Sequence, residues 1–249
     1  MNEINQASRG FGKNRMAEGT VALVTGGSKG IGKAIAQKFA TMGASVAICG
    51  RDQTALAAAA KELQGYGGRV YAQSADVALS KDVAELVTKT EETLGPITVL
   101  VNNAGIGVFG PTHEQTEADW DRVLDTNLKS IFLVSKAVVP SMIRQGTGDI
   151  VNISSLAGKN AFAGGGVYCA SKWGVQGLSA CMAEDLRNYG IRVSVICPGS
   201  VATEFSGRGL KDMAKVLKPE DVAHAVGTIV TQDRQSFVSE IQLRPLRKP

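Results

Sequence analysis

The amino-acid sequence predicts an α/β protein, built as a three-layer, doubly wound parallel sheet of about seven strands with helices on both faces. Three observations lead to this fold class. Short β-branched runs alternate with longer helical patterns, as in successive βαβ units. Most of the short runs are almost entirely apolar, as expected of strands that helices cover on both sides. Glycines stand at many junctions between the two patterns.

Strands are predicted at Val21–Thr25, Ser45–Cys49, Arg69–Gln73, Ile97–Asn102, Asp149–Ile153, Ile191–Ile196 and Phe237–Leu243. Helices are predicted at Gly30–Met42, Gln53–Gln64, Ser80–Leu94, Ala118–Gln145, Val167–Tyr189 and Pro219–Thr231. The glycines expected to close helices in a left-handed conformation are Gly43, Gly65, Gly95 and Gly190. Ser80 and Pro219 suit helix starts. No linker or repeat interrupts the pattern, so residues 19–249 are expected to form one domain after a mobile arm at residues 1–18, with Met16 as an alternative start.

Composition excludes several classes of protein. The chain has 249 residues, of which 44% are hydrophobic and 20% charged, with a net charge of +4. Basic residues are dispersed apart from small clusters near the two ends, which favours solvated ends over nucleic-acid binding. No apolar stretch approaches the roughly 18 residues of a membrane span, and the beginning of the chain lacks the apolar core of a secretory signal. A cytoplasmic protein is expected.

Cysteine and histidine are too sparse to suggest a metal site. The four cysteines lie far apart in apolar segments without C-x-x-C spacing, and the sequence has only two histidines. We therefore expect no metal, and four buried, reduced thiols.

The first predicted strand runs into a glycine-rich turn and then a helix. Gly26 permits a sharp exit from the strand, Gly30 lets backbone N–H groups approach a pyrophosphate, and Gly32 allows close packing of the helix. A glycine-rich turn of no special purpose is the alternative, but its position between strand and helix favours a dinucleotide. The contacts expected from this turn are Gly26, Ser28, Lys29, Gly30, Ile31 and Gly32.

The end of the second predicted strand indicates which dinucleotide is bound. Sheets that bind NAD place an acid there, about 20 residues beyond the turn, for the ribose 2′-hydroxyl. Gly50 and Arg51 occupy this region, and Lys29 lies within the turn. Two cations favour a 2′-phosphate, so NADP(H) is predicted. Asp52 leaves NAD(H) open if the strand ends later, and the alternative for Arg51 is a surface cation paired with Asp52.

Tyr168 and Lys172 are four residues apart in a predicted helix and therefore share one face. The neighbouring ammonium favours the phenolate, and lowering the pKa of the phenol by about three units corresponds to roughly 4 kcal/mol. Such a phenol is an effective acid–base catalyst near neutral pH. The alternative is a half-buried aromatic at a helix start beside a solvated lysine. Ser155 precedes Tyr168 by 13 residues, at the end of the fifth predicted strand.

These motifs, in this order, resemble the short-chain dehydrogenase/reductase family in its single-domain form, and 3-oxoacyl-[acyl-carrier-protein] reductases in particular. The matching pieces, within residues 20 to 205, are Thr25-Gly26-x-x-x-Gly30-Ile31-Gly32, Asp76-Val77, Asn102-Asn103-Ala104-Gly105, Asn127, Ser154-Ser155, Tyr168-x-x-x-Lys172 and Pro198-Gly199. The resemblance implies a Rossmann fold and hydride transfer between NADP(H) and a carbonyl or alcohol group.

The resemblance also implies catalytic roles. Tyr168 gives its proton to the carbonyl oxygen, and Lys172 holds the nicotinamide ribose. Ser155 orients the substrate oxygen, with Ser154 as a competitor for that role. Asn127 bends its helix and anchors a water in a proton relay to the lysine. The alternatives are a helix cap or kink for Asn127 and a helix or turn cap for Ser155.

Further cofactor contacts follow from the resemblance. Asp76 is expected to accept from the adenine amino group, with a backbone contact from Val77; the alternative for Asp76 is an N-cap before the helix at Ser80. The residues expected to line the adenosine ribose are Asn103, Ala104 and Gly105. The residues expected to border the nicotinamide are Pro198, Gly199, Val201 and Thr203.

Two regions depart from the family pattern. The segment Ser200–Lys218 is shorter than the usual substrate lid, and its glycines Gly207 and Gly209 suggest a mobile, fairly open flap. The chain from Phe237 to Pro249 lacks the usual Gly-Gly turn after the last strand. A homo-oligomer, either dimer or tetramer, is expected from the resemblance, with its geometry left open.

We therefore expect an NADP(H)-dependent carbonyl reductase that acts on a small molecule, with both a 3-oxoacyl thioester and a broader range of ketones or aldehydes open as substrates. Substrate preference is expected to lie in Gly105–His113, Leu156–Val167 and Ser200–Lys218. One alternative is an NAD(H)-dependent alcohol dehydrogenase of the same family. Others are a non-catalytic NADP(H) sensor or scaffold, and a sugar-nucleotide epimerase or dehydratase, for which the chain has no substrate domain.

Overall fold

The computed structural model describes residues 15–206 and 215–247, and the strands of this part of the chain form one parallel sheet. The strand order is β3-β2-β1-β4-β5-β6-β7. The strands are β1 (Val21–Thr25), β2 (Ser45–Gly50), β3 (Val70–Ser74), β4 (Val99–Asn102), β5 (Gly148–Ile153), β6 (Ile191–Pro198) and β7 (Glu240–Leu243). This is the doubly wound order of the Rossmann fold with one strand added, so the predicted fold class is confirmed.

Helices cover both faces of the sheet. They are α1 (Gly30–Thr41), α2 (Gln53–Gln64), α3 (Ser80–Leu94), α4 (Glu117–Leu124), α5 (Ser130–Gln145), α6 (Gly166–Leu186) and α7 (Pro219–Val230). One apolar core lies between the sheet and α1, α2 and α7, and a second lies between the sheet and α3, α5 and α6. The central strands β1, β4, β5 and β6 are buried along their whole length. The near-continuous apolar runs of the sequence therefore have the predicted cause.

The direction of the strand series reverses between β1 and β4, and this sets the position of the site. Leu23 of β1 pairs with Ala47 of β2 on one side and with Leu100 of β4 on the other. The chain thus leaves the carboxyl ends of β1 and β4 in opposite directions, which opens a crevice at that edge of the sheet.

Some predicted boundaries and caps were wrong. Residues Ala118–Gln145 do not form one helix: α4 and α5 are separated by a π-helical turn, Asp125–Lys129. Gly65 is right-handed at φ −62°, and Gly67, at φ 85°, is the left-handed glycine of that turn instead. The last strand begins at Glu240 rather than Phe237. Local sequence patterns do not resolve such ends because tertiary contacts decide them.

The structure describes only part of the two segments that were predicted to be mobile. Residues 1–14 of the arm and residues 207–214 of the flap, with Gly207 and Gly209, lie outside the described residues. Met16, assigned to the arm, instead packs against the first core and donates its backbone N–H to the Met42 carbonyl at 3.0 Å. Met16 therefore contacts the folded domain.

A buried charge network closes the amino-terminal edge of the sheet. Asp149 and Arg192 are paired neighbours on β5 and β6, and both are less than 10% exposed. Arg192 Nε donates to Asp149 Oδ1 at 2.6 Å, and Arg234 Nη1 donates to Oδ2 at 3.0 Å. The Arg192 guanidinium also donates to the carbonyls of Gln232, Asp233 and Ser236. One arginine thus holds the segment between α7 and β7 against the sheet.

The cysteines differ from the prediction at one position. All four are free thiols, and Cys49, Cys169 and Cys197 are buried, but Cys181 is exposed on α6.

None of the described helices has the length and apolarity needed to cross a membrane. Within residues 15–206 and 215–247, no cluster of histidine, cysteine and carboxylate side chains is suited to a metal ion.

Candidate active site

The turn after β1 has the backbone of a phosphate cradle. Gly26 and Gly30 have φ values of 64° and 52°, a region that favours glycine. A Cβ on Gly32 would lie 2.3 Å from the Gly26 carbonyl oxygen, so this position too has room only for glycine. Helix α1 begins without a side-chain cap at Lys29 and without an acid in its first turn. Its free N–H groups and positive dipole end are therefore available to an anion.

A cavity of about 360 Å³ lies beside this turn, at the carboxyl ends of the strands. Predicted cofactor contacts that line it are Gly26, Ser28, Lys29, Arg51, Asp76, Val77, Ala104 and Gly105. The remaining wall is formed by Cys49, Gly50, Asp52, Ala75, Ile106 and Thr126. Residues from four separate predicted motifs therefore meet at one cavity.

The charged residues at the end of β2 do not form the Arg51–Asp52 pair that the sequence left open as an alternative. Asp52 pairs with Lys29 at 3.3 Å rather than with Arg51, and it caps α2 by accepting from the Ala55 N–H at 3.0 Å. The Ala55 bond and Lys29 hold the pKa of Asp52 below its usual range. Lys29 also lies 3.7 Å from Glu204. Arg51 is exposed and lines the cavity.

Asp76 and Asn103 support loops next to the cavity. Asp76 Oδ1 accepts from the Ala78 N–H at 3.0 Å. The N-cap of α3 is Leu79, so the alternative of an N-cap at Asp76 is wrong. Asn103 Nδ2 donates to the carbonyls of Thr25 and Gly26, which ties the end of β4 to the phosphate turn.

Ser155, Tyr168 and Lys172 come together beyond the end of β5. Tyr168 and Lys172 lie on α6 and are 9% and 4% exposed. Lys172 Nζ donates to the Ile153 carbonyl at 2.9 Å and lies 5.8 Å from the centre of the Tyr168 ring. The Ser155 side chain lies close enough to the Tyr168 hydroxyl to favour the phenolate. The two helical residues predicted to share a face thus point to the same strand end as the serine.

The expected lowering of the tyrosine pKa was wrong. Burial raises the pKa of Tyr168 to about 12, although the nearby Ser155 side chain acts in the opposite direction. Burial also lowers the pKa of Lys172 to about 8. Loss of hydration disfavours both charged forms, and it is the largest influence on the pKa of each group. At neutral pH the phenol therefore carries its proton, which is the form a general acid needs.

Asn127 is fully buried in the π-helical turn and fastens the loop after β4. Its Oδ1 accepts from the Ile106 N–H at 2.8 Å, and its Nδ2 donates to the Ile106 carbonyl at 2.9 Å and to Ser171 Oγ at 3.0 Å. A Cβ on Gly105 would lie 3.3 Å from Asn127 Oδ1 and 3.7 Å from Lys172 Nζ. Asn127 and Lys172 therefore face the same glycine. Ile106 and Ser171 were not identified from the sequence. Ile106 bonds through its backbone, and Ser171 is a single serine in a helix, so neither forms a recognisable sequence motif.

The two adjacent serines are separated by their contacts. Ser154 is buried, donates to the Lys172 carbonyl at 3.2 Å and accepts from Gln176 at 2.8 Å, so it links β5 to α6. Ser155 Oγ accepts from the Ala157 N–H at 3.1 Å, as its turn-cap alternative requires. The turn cap and the approach to the Tyr168 hydroxyl coexist in Ser155, whereas Ser154 is engaged by Lys172 and Gln176.

The segment after β6 returns to the phosphate turn. Gly199 donates its N–H to the Leu243 carbonyl at 2.8 Å, and Val201 forms a bridge with Leu217. A Cβ on Gly30 would lie 3.1 Å from Thr203 Cγ2. Thr203, one of the residues predicted to border the nicotinamide, therefore lies next to the predicted phosphate turn.

A sheet of this order with a glycine cradle at its switch point defines a dinucleotide-binding α/β protein, and the Ser–Tyr–Lys group adds acid–base side chains at the same edge. The family model described as short chain dehydrogenase matches residues 20–214. The chain belongs to the short-chain dehydrogenase family. The predicted resemblance is therefore confirmed.

Relatives and a solved structure agree with this assignment. The chain is 37% identical to an uncharacterized oxidoreductase of Staphylococcus saprophyticus, over 91% of this chain and 97% of the relative. It is 36% identical to a 3-oxoacyl-[acyl-carrier-protein] reductase of Thermotoga maritima, over 89% and 94%. A metagenomic short-chain oxidoreductase solved in complex with NADP superimposes with a TM-score of 0.82 at 40% identity, over 95% and 100%.

Proposed function

We propose that the protein is an NADP(H)-dependent reductase that converts a carbonyl compound to its alcohol, with Tyr168 as general acid. The observation that carries the proposal is the meeting of Ser155, Tyr168 and Lys172 at the sheet edge that also holds the phosphate turn. An NADP complex of a related oxidoreductase and the sequence likeness to a 3-oxoacyl reductase support it.

The residues at the cavity fit NADP(H). The glycines of the turn keep open the space that a pyrophosphate needs, and the first turn of α1 offers its N–H groups. Lys29 and Arg51 supply positive charge at the cavity, while Asp52 is engaged by Ala55 and Lys29. Two cations beside the cavity, with Asp52 already engaged, favour a 2′-phosphate over a ribose 2′-hydroxyl.

Each catalytic side chain has a role that its contacts support. NADPH, when bound, supplies the hydride. Ser155 orients the carbonyl oxygen beside Tyr168, and Tyr168 donates its proton to that oxygen. Lys172 stabilises the phenolate left behind and holds the nicotinamide ribose. Asn127 fixes the loop at Gly105 and anchors the water of the proton relay to Lys172.

The remaining cofactor contacts are proposed on the same basis. The adenosine half is assigned to Asp76, Val77, Asn103, Ala104 and Gly105, of which all but Asn103 line the cavity. The nicotinamide half is assigned to Pro198, Gly199, Val201 and Thr203. The approach of Thr203 to Gly30 supports this second set.

A panel of carbonyl compounds, assayed with NADPH and with NADH by loss of reduced-nicotinamide absorbance, tests the proposal. We expect turnover with NADPH for at least one 3-oxoacyl thioester, ketone or aldehyde. Tight NADPH binding without turnover of any carbonyl would instead support a sensor or scaffold. Faster turnover with NADH would support the NAD(H)-dependent alternative.

Replacing Arg51 by aspartate should lower the ratio of kcat/KM for NADPH to that for NADH by about 10- to 100-fold, the range expected for losing one charged hydrogen bond. The carboxylate would repel a 2′-phosphate and accept from a ribose hydroxyl. Arg144→Asp, which changes an exposed arginine in the last turn of α5 by the same charge, serves as the control. An unaltered ratio in Arg51→Asp would remove the proposed 2′-phosphate contact.

We also propose a homo-oligomer, dimer or tetramer, formed on the outer face of α4 to α6. An apolar groove of about 430 Å³ is lined there by Leu124, Asp125, Leu128, Lys129, Phe132, Gly174 and Leu178. Phe132 and the adjacent Trp173 are 49% and 53% exposed. Asp125 and Lys129 on this face pair with each other, so they add no net charge that would oppose packing against a second copy.

Light scattering during size-exclusion chromatography tests this face. The wild-type protein should elute as a dimer or tetramer, and Phe132→Glu should shift it toward the monomer because a buried, unpaired charge opposes association. A monomeric wild-type protein at micromolar concentration would contradict the oligomer.

We place the protein in the cytoplasm. The four free thiols support this assignment, since reducing compartments keep cysteines unpaired.

A further inference from the structure

Three phenylalanine rings form a cluster that reaches the ring of Tyr168 at the candidate active site. Phe109 lies 5.4 Å from the tyrosine ring, measured between centroids, and Phe205 lies 5.8 Å from it. Phe162 lies 6.1 Å from Phe109. These are the distances of aromatic rings in contact.

Each ring comes from a different loop. Phe109 lies between β4 and α4, Phe162 between β5 and α6, and Phe205 in the segment after β6. These are the three loops in which the sequence locates substrate preference. Each contributes one phenylalanine to the cluster, which contacts the proposed acid through Phe109 and Phe205. A shared chemical character across three unrelated loops indicates one apolar binding wall.

The backbone of the loops is packed to bring the rings together. A Cβ on Gly107 would lie 2.7 Å from the Phe109 ring and 3.0 Å from the Phe205 ring. A Cβ on Gly165 would lie 2.5 Å from the Phe162 ring. Gly110 donates its N–H to the Gly164 carbonyl at 2.9 Å, which joins the first two loops. The aromatic wall therefore depends on glycines that leave room for each ring.

Two of the rings are exposed although the cluster reaches a buried tyrosine. Phe162 is 49% exposed and Phe205 is 43% exposed, while Tyr168 is 9% exposed. Exposed apolar rings gathered at a reactive group are typical of a binding site whose ligand covers them.

Charge is scarce in the first two of these loops, whereas the segment 200–218 contains Glu204, Arg208, Lys211, Asp212, Lys215 and Lys218. The segments 105–113 and 156–167 contain no acid or arginine and a single lysine, Lys159. Lys159 forms an ion pair with Glu240 of β7. These two loops therefore offer a ligand apolar contact rather than charge recognition.

We propose that the substrate is an uncharged ketone carrying an aryl or similarly flat apolar substituent, which packs against Phe109, Phe162 and Phe205 while its oxygen meets Ser155 and Tyr168. This inference rests on the proposed carbonyl reduction and specifies its substrate class. The rings supply contact area and exclude water from the proton that Tyr168 donates.

The test compares three carbonyl probes with NADPH: acetophenone, hydroxyacetone and acetoacetyl-coenzyme A. We expect kcat/KM for acetophenone to exceed that for each of the others by about 10- to 100-fold, the range for filling an apolar pocket. Phe162→Ala should lower kcat/KM for acetophenone by about 3- to 10-fold, the value of one aromatic contact, and should leave hydroxyacetone nearly unchanged.

Tyr189→Ala is the matched control, because Tyr189 is also 49% exposed but precedes β6 at the opposite edge of the sheet. Calorimetry can measure acetophenone binding to NADPH-loaded Tyr168→Phe, which keeps the aromatic ring but lacks the proposed acid. This measurement tests the aromatic wall separately from carbonyl reduction. If no carbonyl is reduced, the proposed function fails, and binding that Phe162→Ala weakens in this background would still support the wall. Equal or better reduction of either other probe, no effect of Phe162→Ala, or no acetophenone binding would overturn the inference.

Discussion

Replacing Tyr168 by phenylalanine should lower kcat for carbonyl reduction by about 10²- to 10⁴-fold, the contribution of a positioned general acid. The substitution removes the only atom of the side chain that can donate a proton. It keeps the ring, which packs against Phe109 and Phe205. The Kd for NADPH should therefore change by less than about twofold, since the phosphate cradle lies on other elements.

Stopped-flow kinetics with NADPH and fluorescence titration of the cofactor measure the two quantities separately. Tyr189→Phe is the control, because it removes an exposed hydroxyl far from the site. A variant that retains the wild-type kcat would exclude Tyr168 as the acid. A large loss of NADPH affinity together with kcat would show instead that the hydroxyl serves mainly to bind the cofactor.

Replacing Arg192 by methionine should lower the free energy of unfolding by about 3 kcal/mol, the lower end of the range for removing one partner of a buried ion pair. Asp149 would keep only Arg234, and the carbonyls after α7 would lose their donor. Arg234 is 44% exposed at its side chain, so it compensates only in part. For a domain of this size the loss corresponds to a fall in Tm of about 6–12 °C.

Urea denaturation followed by circular dichroism measures this change. The matched control is Arg187→Met, which breaks an exposed pair with Glu184 and should cost less than about 1 kcal/mol. Because the network lies at the edge of the sheet opposite to the site, kcat at 25 °C should be unchanged. A variant as stable as Arg187→Met would show that Arg192 contributes nothing beyond an exposed pair.

The network at Arg192 illustrates what local patterns miss. Asp149 was the first residue of one predicted strand and Arg192 the second residue of another, each the lone charge of an apolar run. Their pairing depends on the register of β5 and β6, which joins residues 43 positions apart. The three phenylalanines were likewise scattered through separate loops until the fold brought them together. Such contacts are long-range, and no local pattern encodes them.

At Asn127, a sequence motif identified the residue, but local periodicity did not predict the structure around it. The family motif identified it, but local periodicity predicted one unbroken helix through it. The helix is interrupted there because the asparagine amide bonds both groups of Ile106 and the hydroxyl of Ser171. Tertiary hydrogen bonds overrode the periodicity, as is common for π-helical turns at functional sites.

By itself, the sequence determined the fold class, the phosphate turn and the residues of the Ser–Tyr–Lys group, because strand and helix periods, glycine positions and i,i+4 spacing are local properties. Only the tertiary structure decided the direction in which the pKa values of Tyr168 and Lys172 are shifted. The sequence placed an ammonium one turn from a phenol and so favoured a lowered tyrosine pKa. The fold buries both groups, and their loss of hydration raises the pKa of Tyr168 to about 12 and lowers that of Lys172 to about 8.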